Sequence, residues 1–165
     1  MKITRLSQTL IDQIAAGEIV ERPASIIKEL LENSIDSGAD KISVKISDGG
    51  SRLIIVSDNG AGIQKDDLVL AIENHATSKI STQEDLQNCD THGFRGEALA
   101  AIASVANVKI RSKTRHSENG FELVKTSGYW DVFLSPSHDG TDVIVEDLFH
   151  NVPARKRFLK NNTTE

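Results

Sequence analysis

Four short tracts of this 165-residue chain carry side chains able to do chemistry on a small polar ligand. Glu29, Asn33 and Asp36 recur at i, i+4 and i+7, so on a helix they stack within roughly 60° of one another. A carboxylate so placed can take a proton from water. A carboxamide oxygen can ligate Mg²⁺, which takes oxygen ligands and keeps several waters. A solvated helix face carries the same pattern. The second tract is Asp58-Asn59-Gly60-Ala61-Gly62, directly behind an apolar run. An Asp at a strand end, backed by glycines, can accept hydrogen bonds in a pocket where backbone closes on a ligand, although Asp-Asn-Gly also makes an ordinary tight turn. In the third, Gly93-Phe94-Arg95-Gly96-Glu97-Ala98-Leu99, two glycines lead into a helix start. The N–H groups and dipole of such a start suit phosphate, and Arg95 adds a charged donor. The tract is neither a Gly-x-x-x-x-Gly-Lys-Ser/Thr loop nor a Gly-x-Gly-x-x-Gly loop. The fourth, His75-Ala76-Thr77-Ser78-Lys79, offers two hydroxyls and an ammonium to phosphate oxygens, or only solubility to a loop.

Helices and strands must hold these tracts in place. Apolar residues 6, 10, 11 and 14 have helical spacing, with Gly17 as a stop. Pro23 suits the first position of a second helix, which runs to Asp36 and ends at Gly38. On its wheel Ile26, Ile27, Leu30, Leu31 and Ile35 form the apolar half. Ile42, Val44 and Ile46 alternate as a half-buried strand, Asp48-Gly49-Gly50 is a hairpin signal, and residues 53–56 make a buried strand. A short helix is expected over 65–73, then a polar irregular stretch over 74–96, too long for an ordinary connector and so a lid or binding loop. A helix over 97–105 precedes strands at 107–113, 121–134 (interrupted near Gly128) and 141–146, and a short basic helix starts near Pro153. This order does not alternate as a doubly wound parallel sheet would. It predicts an α+β fold, a two-layer sandwich with a mixed, mainly antiparallel sheet and helices on one face.

Composition excludes other classes. With 38% hydrophobic and 26% charged residues the chain is neither collagen-like, coiled coil nor wholly disordered. No apolar run approaches the roughly 18 residues of a membrane span, and no signal core follows the N-terminus. The single Cys89 forms no internal disulfide, which suits a reducing, cytoplasmic setting. A net charge of −5 does not support a uniformly basic nucleic-acid binder. Positive charge clusters instead at Arg155, Lys156, Arg157 and Lys160, and on alternate residues Lys109, Arg111, Lys113 and Arg115. Either cluster could touch phosphate or simply face solvent. His75, His92, His116, His138 and His150 show no close pairing, so a zinc site is not expected.

Taken in order, Glu29…Asn33, Asp58-x-Gly60-x-Gly62, Gly93-x-x-Gly96 and Gly140-Thr141 resemble the Bergerat ATP-binding fold of the GHKL superfamily: type II topoisomerases, heat-shock chaperones, histidine kinases and MutL. Within it the chain resembles the MutL family. The resemblance is carried by Gln13-Ile14-Ala15-Ala16-Gly17-Glu18-Ile19-Val20-Glu21-Arg22-Pro23-Ala24-Ser25, Lys28-Glu29-Leu30-Leu31-Glu32-Asn33-Ser34, His75-Ala76-Thr77-Ser78-Lys79-Ile80, Gly93-Phe94-Arg95-Gly96-Glu97-Ala98-Leu99 and Asp147-Leu148-Phe149-His150-Asn151-Val152-Pro153-Ala154-Arg155. It covers nearly the whole chain. His150 and Val152 stand where that family usually has Tyr and Thr.

The resemblance implies one GHKL ATPase domain over 1–165, the N-terminal fragment of a longer protein. ATP and Mg²⁺ are the implied cofactors. Glu29 is implied as the general base and Asn33 as the Mg²⁺ ligand. Asp58 would accept the adenine amino group, with Gly62 close by and Thr141 supporting the same base, while Thr77, Ser78 and Lys79 would contact phosphates from the lid. Gly93, Phe94, Arg95, Gly96, Glu97, Ala98 and Leu99 would cradle the phosphates. The implied function is a slow ATP-driven switch for DNA mismatch repair. ATP orders the lid and first segment, two domains dimerise, and the state is relayed from a mismatch-recognition protein to nicking and unwinding enzymes, with DNA bound without sequence preference. The alternative is a nucleotide-gated interaction module of another GHKL protein, with incidental hydrolysis.

Overall fold

The computed structural model describes residues 3–74, 76 and 96–159. Helices α1 (Gln8–Ile19) and α2 (Pro23–Asp36) open the chain. They lead into strands β1 (Ile42–Ser47) and β2 (Leu53–Asp58), joined through a single 3₁₀ turn over Asp48–Gly50. Helix α3 (Ala98–Val105) follows, then β3 (Asn107–Lys113), β4 (Gly120–Thr126), β5 (Tyr129–Ser135), β6 (Gly140–Glu146) and α4 (Pro153–Leu159). Among the described residues the sheet has six strands, in the order β1-β2-β6-β3-β4-β5. Every described pairing is antiparallel, so the expected mainly antiparallel sheet is wholly so in these strands.

Strand alternation decides which side chains enter the core. Ile54 and Val56 on β2, Val143 and Val145 on β6, and Val108 and Ile110 on β3 are buried on the helix-facing side. There they meet Ile26 and Leu30 of α2 and Ala101, Ile102 and Val105 of α3. Burying one such Leu or Ile side chain contributes about 1.5–3 kcal/mol. Ile55, Ile144, Lys109 and Arg111 fall on the opposite face and are only half-buried. Residues 53–56 are therefore not buried throughout, as a continuous apolar run suggested, but alternate like their neighbours.

Four local expectations are corrected. Gly17 does not stop α1, which runs on to Ile19 with Val20 as its cap. The Arg155 guanidinium, 138 residues away, donates to the Gly17 carbonyl at 3.0 Å and, from its other nitrogen, to the Val20 carbonyl at 3.1 Å, satisfying helix-end acceptors. It fits there because Gly17 has no side chain: a Cβ would lie 2.6 Å from Nη2. Arg155 also stacks over the Phe149 ring at 5.3 Å, so one member of the terminal basic cluster has a structural task. Second, the spaced apolar residues of the first segment do not form its buried face. Leu10, Ile11 and Ile14 are 41–55% exposed, whereas Ala16 and Val20 are buried, because the C-terminal half of α1 meets the core. Third, Ile35 is 62% exposed. Its direction lies roughly 140° round the helix from Leu30, and the buried stripe runs Pro23, Ile26, Leu30, Ser34 instead. Fourth, residues 65–73 form two 3₁₀ turns, Lys65–Asp67 and Leu70–Ile72, rather than one helix. Their bonds run from Leu68 N to Lys65 O and from Glu73 N to Leu70 O, an i to i−3 ladder that restarts between Leu68 and Leu70.

Candidate functional site

The C-terminal end of β2 is the polar centre of the molecule. Asp58 is 7% exposed and lies opposite Thr141 of β6, itself 8% exposed. Burying a carboxylate is costly unless donors surround it, and donors come from three elements. Oδ1 accepts from the Gly60 N–H at 2.9 Å and from the Thr141 N–H at 3.3 Å. Oδ2 accepts from the Ser34 hydroxyl of α2 at 2.9 Å. A carboxylate offers about four lone-pair positions. The described residues fill both on Oδ1 and one on Oδ2, so among them one acceptor position is left, on Oδ2. The His138 ring contacts the Asp58 carbonyl through Nε2 at 3.0 Å and lies 3.7 Å from an Asp142 oxygen.

The glycines around Asp58 are spaced for protein packing. Gly140 has φ +117°, and a Cβ there would lie 2.0 Å from the Asp58 carbonyl oxygen. Only glycine lets the start of β6 lie against the end of β2 in this way. Gly62 has φ +74°, and its Cβ would lie 2.3 Å from the Lys113 carbonyl oxygen. The close approach expected at Gly62 is thus to the β3 backbone. Asn59 turns away from Asp58 and ties the loop before β1: its Oδ1 accepts from the Asp40 and Lys41 N–H groups at 3.1 and 3.0 Å, and its amide donates to Asp40 at 2.6 Å.

Helix α2 reaches this centre through Ser34, whose sequence neighbour is Asn33, with Glu29 one turn before Asn33 on the same helix. Glu29 and Asn33 are both half-buried and Asp36 is exposed. The same helix carries a surface pair, Lys28 to Glu32 at 3.0 Å, which holds the Lys28 ammonium above its usual range through the hydrogen bond and charge of Glu32. The start of α3 brings Gly96 (φ +63°), Glu97, Ala98 and Leu99, all partly exposed. Glu97 is the N-cap without a side-chain capping bond, and its carbonyl accepts from Ala101 N–H at 2.8 Å. His75, Thr77, Ser78, Lys79, Gly93, Phe94 and Arg95 lie outside the described residues.

Two functional candidates were not evident from residue spacing. Ser34 is the single hydroxyl in the buried stripe of α2. Ser112 is fully buried on β3 and bonds both to the loop after β2 and to the start of β6, with Oγ 2.8 Å from Ile63 N, 2.9 Å from Gly140 O and 2.9 Å from Thr141 Oγ1. A polar residue continuing the buried row Val108, Ile110 was the signal for it. Two of the alternate basic residues, on the other face of β3, have acidic partners: Arg111 pairs with Glu122 at 2.5 Å and Lys113 with Asp139 at 3.1 Å. No group of three or more His, Cys, Asp or Glu capable of holding a metal occurs among the described residues.

Comparison with known proteins gives this geometry a setting. The family described as histidine kinase-, DNA gyrase B-, and HSP90-like ATPase matches residues 21–135. The DNA mismatch repair protein MutL of Dictyoglomus turgidum is 51% identical over 164 residues, which is 99% of this chain and 29% of that protein. The chain therefore spans under a third of that relative's length. A crystal structure of the N-terminal domain of a DNA repair protein superposes with TM-score 0.77 at 30% identity, over 96% of this chain and 46% of the other. The Aquifex aeolicus MutL ATPase domain complexed with ADP superposes with TM-score 0.62 at 33% identity, over 85% of this chain and 48% of that one.

Proposed function

Because the chain belongs to the family of histidine kinase-, DNA gyrase B- and HSP90-like ATPases, we propose that it binds and slowly hydrolyses ATP as the switch domain of a MutL-like DNA mismatch repair protein. The observation that carries this reading is the buried Asp58, with one acceptor position left on Oδ2 beside Thr141. An exocyclic amino group is the complement of that position, and adenine has one. The ADP complex of the Aquifex aeolicus domain supports a nucleotide in this fold.

From the base outward, α2 supplies the chemistry. Glu29, one turn before Asn33 and half-buried, would take a proton from the water that attacks the γ-phosphate, and Asn33 would offer its amide oxygen to Mg²⁺. A carboxamide and a carboxylate one turn apart on α2 suit that ion: the chain would supply one or two oxygens and leave the rest to phosphate and water, which is how Mg²⁺ is usually held. When bound, Mg²⁺ spreads the charge that develops on the phosphate oxygens. Thr77, Ser78, Lys79, Gly93, Phe94 and Arg95 would complete the phosphate contacts with Gly96, Glu97, Ala98 and Leu99 at the start of α3.

The switch reading extends to assembly. ATP would favour a dimer of two such domains, and α1, with Leu10, Ile11 and Ile14 exposed, supplies apolar surface for it. In the whole protein this state would pass from a mismatch-recognition partner to nicking and unwinding enzymes on DNA, in the cytoplasm. No helix among the described residues is long and apolar enough to cross a membrane. Titrating the chain with ATP and with GTP, each with Mg²⁺, tests the nucleotide reading. ATP should bind and GTP, which carries a carbonyl where ATP has the amino group, should bind far more weakly. Equal affinities would contradict it.

A further inference from the structure

The three contacts of the Ser112 hydroxyl fix more than packing. Ser112 has one proton and two lone pairs, and Thr141 has one hydroxyl proton. The Ile63 N–H donates to Ser112 Oγ at 2.8 Å and so takes one lone pair. The Gly140 carbonyl, 2.9 Å away, can only accept, so a bond there requires the Ser112 proton. The 2.9 Å contact between Ser112 Oγ and Thr141 Oγ1 must then be filled by the Thr141 proton. This is the one arrangement with a proton in every contact. If Ser112 instead donated to Thr141, its oxygen and that of Gly140 would face each other at 2.9 Å with no proton between them. The contacts to Gly140 and Thr141 are buried, with Ser112 fully so and Thr141 8% exposed, so an unmade bond there is not replaced by water.

We propose that Ser112, though outside the pocket, is a specificity-determining residue: by taking the Thr141 proton it holds the Thr141 hydroxyl as a pure acceptor beside Asp58. The proposal rests on the reading of Asp58 and Thr141 as the base-recognition floor. With the Thr141 proton drawn back onto β3, the floor presents Asp58 Oδ2 and Thr141 Oγ1, both acceptors. Such a floor suits the two N–H bonds of a 6-amino purine, met directly or through a water, and repels a 6-oxo purine. Without Ser112, the Thr141 proton is released to turn toward the pocket, where it can donate to a 6-oxo group.

The test uses ATP and inosine triphosphate, which differ at purine position 6 and in the N1 proton that follows from it. Both are titrated with Mg²⁺ into the chain, its S112A, S112C and S112T variants, and the double variant S112A/T141V with its T141V parent. S112A should lower the preference for ATP over inosine triphosphate by about tenfold, the size of one neutral hydrogen bond. S112C, close in volume but a weak donor and acceptor, should lower it similarly and serves if S112A does not fold. S112T, which keeps the hydroxyl, should retain the preference. In the T141V background S112A should no longer change it, because its effect passes through the Thr141 hydroxyl. Equal losses for both nucleotides in S112A and S112C would reduce Ser112 to packing and overturn the proposal, as would an undiminished S112A effect in the T141V background. A wild-type chain that binds both nucleotides alike would instead refute the base reading beneath it, and the proposal with it.

Discussion

Replacing Asp58 by Asn exchanges one oxygen for an NH₂ group and should invert what the site recognises. The Oδ1 position receives two backbone donors, Gly60 N–H and Thr141 N–H, so the Asn oxygen must stay there. The Asn amide nitrogen is then forced into the Oδ2 position, 2.9 Å from Ser34 Oγ. Ser34 can respond by turning its proton away, as far as the carbonyls of its own helix, and accepting instead. Every protein contact is thereby kept, and the stability loss should stay near the neutral hydrogen-bond scale of about 1 kcal/mol. The second amide proton, however, now points where Oδ2 had its remaining lone pair. ATP loses a hydrogen bond to a charged acceptor, about 1.5–3 kcal/mol, and its affinity should fall about 10- to 150-fold. Inosine triphosphate, with an acceptor at purine position 6, should be weakened far less or gain. Calorimetric titration of both nucleotides into both proteins, with a urea melt of each, provides the check. An Asp58→Asn variant that melts like wild type and still binds ATP as tightly would refute the assignment of the base to Oδ2.

Other consequences are open to direct measurement. In a full-length protein Glu29→Ala should bind ATP normally but hydrolyse it about 10²–10⁴-fold more slowly, the usual cost of a lost general base; steady-state turnover at the wild-type rate would remove Glu29 from that role. Asn33→Ala should weaken nucleotide binding mainly when Mg²⁺ is present, so titrations with Mg²⁺ and with chelator should converge for the variant and differ for wild type. Gly140→Ala combines left-handed backbone strain with a Cβ 2.0 Å from a carbonyl oxygen, and should destabilise by about 2–5 kcal/mol; an unchanged urea midpoint would contradict the close packing of β2 and β6.

What could be read from the residues was local. Pro23 and Gly38 punctuate α2, and a strand such as β3 declares itself by alternation, because both signals are written within a few neighbouring positions. What escaped depended on distant partners. Gly17 looks like a helix stop until Arg155 bonds its carbonyl and that of Val20 beyond it. Ile35 looks like core until Ile26, Leu30 and Ser34, one stripe at i, i+4 and i+8, take the inward side of the helix. Leu68 and Ile72 have helical spacing and are buried, yet their backbone closes as separate 3₁₀ turns. At the site, Asp58, Asn33 and Thr141 are polar types in recognisable motifs, whereas Ser34 and Ser112 are ordinary serines whose importance comes from what the fold sets against them.

A nucleotide base seated on the floor formed by Asp58 and Thr141 is read out by an amide NMR titration of the chain with ADP and Mg²⁺. Gly60 and Thr141 both donate to Asp58 Oδ1, so their amide signals should move on binding, and those of Ser34 and Ile63 should move with them, whereas the turn at Ser127 and Gly128, at the far end of β4 and β5, should not. Saturable binding that left Gly60 and Thr141 unmoved while shifting signals elsewhere would contradict the account.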